Sequence, residues 1–480
     1  MRVLRRTKIV ITLGPATDDP RVLAELIRSG ADVVRVNFSH GRFEDHARRV
    51  ALVRDAARAT GRYVGILGDL GGPKIRIERF QHGSVHLIEG AEFTLDVSLD
   101  PAAGTTTAVG CAYKTLPRDV RDGDILLLTD GLIVLQVQHV AGPRVVTRIV
   151  TGGELSNNKG LNRRGGGLSA GALTDKDRED IRVAARLEVD YLGVSFPKTA
   201  EDMLEARALL REAGGNGRTC AKIERAEAIT NLDDIVEASD AVMVARGDLG
   251  VEMGYAELTG LQKRIIAAAR QKFRVVITAT QMMESMIQNP VPTRAEVSDV
   301  ANAVLDGTDA VMLSAESAIG KHPVKAVEAM AAVIQGAEKY QFAQGSGRAR
   351  QRNVGEFHST DEAIAMAVMY TANHLVVKAI VALTESGSTP LWMSRIRSDI
   401  PIYAFTRHEA TRRRVTLYRG VYAVPFDVVH TDPEILYPSI FRLMIELGLC
   451  AAGDLVIMTK GEMSGVSGGT NTMKILEVRP

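Results

Sequence analysis

Four side chains of types that do chemistry together stand at the ends of three apolar runs. Lys222 and Glu224 lie in KIER, Asp248 in VMVARGDLGVEMG, and Thr280 in TATQMMESM. Lys222 and Glu224 are two residues apart, so a strand would point both to one side. Glycines 247 and 250 bracket Asp248, where they allow backbone N–H groups to approach an anion closely. A lysine, two carboxylates and a threonine at neighbouring strand ends are the parts that phosphoryl-transfer chemistry with a divalent metal needs. Each residue alone reads equally well as part of a rim ion pair or as a cap.

These residues must be positioned by a sheet whose strands end on one side. Eight apolar runs alternate with helical periodicity: 8–13, 32–38, 63–69, 190–196, 219–224, 240–245, 274–280 and 309–314. The alternation predicts parallel strands and a (β/α)8 TIM barrel. Chemistry in such barrels occurs at the C-terminal strand ends, where the residues above fall. Residues 70–171 break the pattern. They are rich in Val, Thr and Leu with turn glycines, and read as a small β-barrel or sandwich inserted after the third strand. Gly71-Gly72 and Gly165-Gly166-Gly167 flank it as hinges of a mobile lid. Residues 341–357 read as a linker. A second alternating unit follows, with strands at 379–384, 402–406, 421–426, 454–459 and 474–478. The expected domains are therefore a barrel (1–69 and 172–340), a β-rich lid (70–171) and a C-terminal α/β regulatory domain (358–480).

The 480 residues are 45% apolar and 24% charged with a net charge of +1, which gives no global field for nucleic acid or membrane. The start MRVLRRTKIVITLG is too short in its apolar part for a signal peptide, and no run is long enough to span a membrane. Cys111, Cys220 and Cys450 are widely spaced and odd in number, as suits a reducing, cytoplasmic setting.

The runs KIVITLGPAT, RVNFSHG, GDLGGPKIR, VSFPK, AKIE, VMVARGDLGVE, ITATQMMESM, PTRAEVSDVANAVLDGTDAVMLSAESAIG and TESGSTP, in this order, resemble the pyruvate kinase family over almost the whole chain. The segment LSNNKGLNRRGGGLSAGALTDKD is similar to one bacterial branch of it. The resemblance implies phosphoryl transfer from phosphoenolpyruvate to ADP, giving pyruvate and ATP in the last step of glycolysis. It implies Mg2+ (or Mn2+) on Glu224 and Asp248, and Lys222 at the transferring phosphoryl group. Gly247, Asp248 and Thr280 would hold the substrate carboxylate, with Thr280 on the proton path. Arg35 would bind phosphate, with Asn37, Ser39 and Asp69 beside it. Arg76 and Lys159 would meet nucleotide phosphates, and His40 would pack near the nucleotide. The family is usually a homotetramer.

One departure bears on cofactors. Potassium-dependent members carry Thr and Glu where this chain has Leu70 and Lys74. A tethered ammonium at Lys74 would replace the monovalent cation, since two unpaired positive charges a few Å apart repel. K+ is therefore expected not to be required. In the third domain, Thr384, Ser386, Gly387, Ser388 and Thr389 form a strand-to-helix turn suited to a phosphate, with a second glycine-hydroxyl loop at 461–472. The resemblance implies an allosteric phosphometabolite site there. Ser388 stands where a basic residue is often seen, which favours AMP or a sugar monophosphate over a bisphosphate. Two other readings stay open: a metal-dependent lyase or aldolase acting on pyruvate-like substrates, and a catalytically silent phosphometabolite sensor.

Overall fold

The structure, a computed structural model, describes residues 4–343, 357, 359–428, 432–461 and 469–479. Most of the expected linker (344–356) and of the glycine-hydroxyl loop (462–468) lies outside the described residues. No helix among the described residues is long and apolar enough to cross a membrane.

In chain order the strands are β1 (Lys8–Thr12), β2 (Val33–Asn37) and β3 (Gly65–Asp69). Then come β4 (Ser84–Leu87), β5 (Glu92–Asp96), β6 (Ala108–Gly110), β7 (Ile125–Leu128), β8 (Ile133–Ala141), β9 (Arg144–Thr151), β10 (Gly153–Ser156) and β11 (Leu161–Arg163). The barrel run resumes with β12 (Tyr191–Val194), β13 (Arg218–Ile223), β14 (Ala241–Ala245), β15 (Val275–Ala279) and β16 (Ala310–Leu313). The last five are β17 (Ala379–Leu383), β18 (Ile402–Thr406), β19 (Val421–Pro425), β20 (Leu455–Gly461) and β21 (Thr470–Glu477). Eight strands close a barrel in the order β1-β16-β15-β14-β13-β12-β3-β2. Every residue of β1, β3, β14 and β15 is buried, because a parallel strand in a barrel is covered on both faces. This explains why these strands read as unbroken apolar runs.

By packing, the chain divides into two compact units. One comprises Met1–Gly68, Leu187–Tyr191 and Ala269–Pro480; the other comprises Asp69–Arg186 and Leu192–Ala268. In the second unit, β4 to β11 lie between β3 and the helix Asp175–Arg186. They form a six-stranded sheet, β11-β7-β8-β9-β5-β6, and a two-stranded sheet, β10-β4. Leu87 and Leu155 of the small sheet join Phe93, Leu95, Leu126, Leu135 and Val145 of the large one in a single core.

In the first unit, β19-β18-β17-β20 run parallel and β21 closes one edge antiparallel. Arg395, at the C-cap of the helix Ser388–Ser394, reaches the base of the barrel. Its guanidinium is almost fully buried and forks onto both oxygens of Asp309, with Nη1 2.7 Å from Oδ2. Nη1 also donates to the Arg274 carbonyl at 2.9 Å.

Asp309 belongs to a recurring device. Asp32, Asp190, Asp240 and Asp309 each directly precede a barrel strand. Their carboxylates accept the N–H of Ile9, Ile66, Thr219 and Val276, respectively, at 2.8–2.9 Å. Each is also held by arginine: Asp32 by Arg5 and Arg62, Asp190 by Arg413, Asp240 by Arg207 and Arg218, and Asp309 by Arg395. A buried carboxylate without such donors would carry a penalty of several kcal/mol, so hydrogen bond and ion pair belong together.

Candidate active site

In the second unit the chemistry converges on the exit of β13. Lys222 and Glu224 point the same way, as their spacing requires, and both are buried. The Lys222 ammonium lies 2.7 Å from Ser195 Oγ, 3.0 Å from Glu224 Oε1 and 3.3 Å from Asp69 Oδ1. The other oxygen of Glu224 accepts the Phe196 N–H at 3.0 Å. Asp69, the last residue of β3, is wholly buried. It fits because β12 carries Gly193 beside it: a Cβ there would lie 2.9 Å from Asp69 Oδ1. Burial pushes the Glu224 carboxyl up to about 7; Lys222 opposes this, and the nearby Asp248 and Asp69 add to it.

Asp248 sits in the first turn of the helix Arg246–Met253, immediately after β14. Gly247 precedes it, so the first turn of that helix begins beside the carboxylate-rich exit. Glu224 and Asp248, with Asp248 near enough to raise the proton affinity of Glu224, are a hard oxygen donor set that suits a divalent cation. Among the described residues no three His, Cys, Asp or Glu side chains are grouped to hold a metal. An ion held by Glu224 and Asp248 would take its remaining ligands from substrate and water. A proton would compete with a cation held on Glu224, whose carboxyl is raised to about 7, so the affinity for such a divalent ion is expected to rise with pH through about 7. Mn2+ titrations at pH 6 and pH 8 check this, and equal affinity at both would contradict it.

Both roots of the insertion lie in the same unit. At the first, Leu70 donates its N–H to the Gly193 carbonyl at 3.0 Å, and Gly72 turns at φ +66°. Lys74 and Arg76 follow and are exposed. With Lys159, Phe196, Arg225, Asp248 and Glu252 they line a cavity of about 270 Å3. At the second root, Gly165, Gly166 and Gly167 have φ of +80°, +77° and +95°, conformations that favour glycine. Gly165 donates to the Glu252 carbonyl at 3.0 Å and Gly167 to Glu227 Oε1 at 2.6 Å.

The remaining candidates belong to the first unit, at the C-terminal ends of β2 and β15. Arg35 donates to Thr12 Oγ1 at 3.3 Å. Asn37 Oδ1 accepts the Ser39 N–H at 3.1 Å, an Asx turn, and His40 is exposed. Thr280 and Gln281 both have positive φ, +69° and +53°. Two successive non-glycine residues held there cost about 1–3 kcal/mol each. Met282, Met283 and Met286 are wholly buried and anchor the turn. Thr280 is not a helix cap: its hydroxyl donates to the Ala279 carbonyl at 2.6 Å, and Met283 caps the short turn Glu284–Ile287.

The pyruvate kinase barrel-domain family matches residues 4–327 and the pyruvate kinase alpha/beta-domain family matches 362–476. The chain is 55% identical over 481 residues to pyruvate kinase II of Salmonella typhimurium, which spans 99% of each chain. It is 51% identical to pyruvate kinase of Haemophilus influenzae, again over 99% of each. With pyruvate kinase of Geobacillus stearothermophilus it shares 43% identity, over 98% of this chain and 80% of that one. The chain belongs to the pyruvate kinase family.

Membership in the pyruvate kinase family makes the protein a phosphotransferase, and it directs attention to residues that sequence reasoning passed over. Ser195 touches Lys222, and its position in VSFPK, two residues after Gly193, was the available signal. Glu252 stands one helical turn after Asp248, is buried, and has its carboxyl pushed up to about 7 by burial. It accepts the Ala226 N–H at 3.0 Å. In the family's alpha/beta region, the turn after β17 satisfies much of itself. Gly387, at φ +86°, donates to Thr384 Oγ1 at 2.9 Å, Ser386 and Ser388 share a 2.7 Å bond, and buried Thr389 pairs with Thr470 at 2.7 Å.

Proposed function

We propose that the protein transfers the phosphoryl group of phosphoenolpyruvate to ADP, giving pyruvate and ATP in the last step of glycolysis. The observation that carries this reading is the buried Lys222 ammonium held against Glu224 and Asp69, beside Asp248. In the forward direction a β-phosphate oxygen of ADP forms a bond to phosphorus. The bond from phosphorus to the enol oxygen breaks, and its electron pair stays on the leaving enolate. Lys222 neutralises charge developing on the transferring group, and Arg35 binds the same phosphate. Gly247, Asp248 and Thr280 receive the carboxylate. Thr280 lies on the path by which C3 takes up a proton. Asn37, Ser39 and Asp69 line the substrate side, while Arg76, Lys159 and His40 meet the nucleotide. Glu224 and Asp248 would hold Mg2+ or Mn2+, which when bound supplies positive charge to the reacting oxygens. The β-rich insertion acts as the lid that excludes water.

Lys74 lines the cavity that Asp248 also lines, which supports its ammonium as the stand-in for K+. We take the turn Thr384 to Thr389 as an effector site for AMP or a sugar monophosphate, and the working form as a cytoplasmic homotetramer. One series of assays tests these readings: pyruvate formation from phosphoenolpyruvate and MgADP, with K+ replaced by tetramethylammonium at equal ionic strength. Rapid turnover without K+ is expected. Turnover only with K+ would reject the role of Lys74. No turnover under any condition would favour the lyase or the silent sensor. In the same assay AMP or a sugar monophosphate is expected to lower the phosphoenolpyruvate concentration for half-saturation; no shift with any such compound would reject the effector site.

A further inference from the structure

Ser195 follows β12 and is 1% exposed. Its hydroxyl lies 2.8 Å from the Leu70 carbonyl and 2.7 Å from Lys222 Nζ. The chemistry of the two partners fixes the direction of both bonds. A carbonyl only accepts and an ammonium only donates, so the single hydroxyl hydrogen goes to Leu70 and a lone pair faces Lys222. The hydroxyl cannot turn to any other arrangement without breaking a buried bond. The other two contacts of the ammonium given above, Asp69 and Glu224, are carboxylates. A lysine head is a compact charge on a flexible stem, and two carboxylates alone would hold it by charge but orient it poorly. Ser195 supplies a neutral contact of defined direction.

The far end of this relay is the backbone of Leu70, the first residue after β3 and the start of the insertion. That backbone is seated on β12 by the Leu70 N–H bond to Gly193. Close packing reinforces it: a Cβ at Gly72 would lie 2.7 Å from the Ser195 Cβ. We infer that Ser195 is a positioning residue for the phosphoryl transfer, fixing the orientation of the Lys222 ammonium and tying it to the first root of the insertion. The inference deepens the reaction proposed above and rests on Lys222 acting at the phosphoryl group.

The test compares pyruvate formation by the full-length enzyme and by Ser195→Ala and Ser195→Cys. Misplacing a reacting group by about 1 Å costs on the order of 100-fold, so Ser195→Ala is expected to lose 10- to 100-fold in kcat. KM for phosphoenolpyruvate and for ADP should stay within about threefold, because the hydroxyl orients a group without binding substrate. Ser195→Cys keeps the side-chain volume but donates and accepts weakly, so it should show nearly the same loss. A merely structural serine would instead give a lowered unfolding temperature with kcat preserved in the folded fraction. Wild-type kcat in either variant would overturn the inference, as would a rise in both KM values as large as the fall in kcat. If the unmodified enzyme itself forms no pyruvate, the reaction proposed above falls and this inference falls with it. An active wild type beside an unimpaired Ser195→Ala removes this inference alone.

Discussion

Lys222→Met is expected to lower kcat by about 1,000-fold while changing KM for phosphoenolpyruvate by far less. Methionine keeps most of the side-chain volume and removes the charge. A preorganised charge at a transferring phosphoryl group is worth about 100- to 100,000-fold in related chemistries. A factor of 1,000 corresponds to about 4 kcal/mol of transition-state stabilisation. The substitution has a second consequence, because Lys222 holds down the proton affinity of Glu224. Without it the Glu224 carboxyl, already raised to about 7, moves higher. Residual activity of the variant should therefore need a higher pH than wild type to reach its plateau. Steady-state kinetics from pH 6 to pH 9 checks both effects, and a kcat near wild type would remove Lys222 from the reaction.

Arg395→Met is expected to cost about 3–5 kcal/mol of stability, the usual penalty for leaving one partner of a buried ion pair uncompensated. Both members are 2% exposed. Once the guanidinium is gone, Asp309 retains the Val276 N–H, 2.8 Å away, but no neutralising charge from this pair. The loss should appear as a lower denaturant midpoint. The double variant Arg395→Met with Asp309→Leu distinguishes charge from packing, since replacing a whole buried pair by apolar groups is often neutral. Recovery of most of the lost stability is expected, less the Val276 bond that Asp309 also accepts. A double variant as unstable as the sum of the two singles would show that the pair does not act as a unit.

The barrel strands were legible because parallel strands covered on both faces must be apolar throughout, and each expected run meets its strand to within two residues at either end. Lys222, Glu224 and Asp248 were legible because a strand end followed by charge and glycine is an uncommon pattern. Ser195 was not, because its hydroxyl works through residues 125 and 27 positions away in sequence, and its place in VSFPK was the one local signal. Glu252 looked like an ordinary helix charge, and the groups that bond it, the Ala226 N–H and the Gly165 N–H, lie well away from it in sequence. The arginines at the barrel base, Arg395 and Arg413 among them, were hidden for the same reason: most arginines are solvated, and only the fold says which ones reach a buried aspartate. The hydrogen bonds that hold Gly165 and Gly167 at the second root were likewise not legible, because their partners, Glu252 and Glu227, lie far along the chain.

The four aspartates at the strand starts have a consequence for how the ring closes during folding. Each bonds a barrel strand to the next barrel strand along the chain: β1 to β2, β3 to β12, β13 to β14, and β15 to β16. In three of these seams the bonded residues are 23, 21 and 33 positions apart, but Asp190 and Ile66 are separated by 124. Closing a loop of that length rather than one of 23 costs about 1.5 kcal/mol more chain entropy when the intervening segment is unfolded. A folded insertion removes most of that excess, because it brings its own two ends into fixed positions. The β-rich insertion therefore serves the barrel before any ligand arrives: by collapsing around its own core it shortens the longest of these four seams, and that part of the eight-stranded ring can close as though nothing had been inserted.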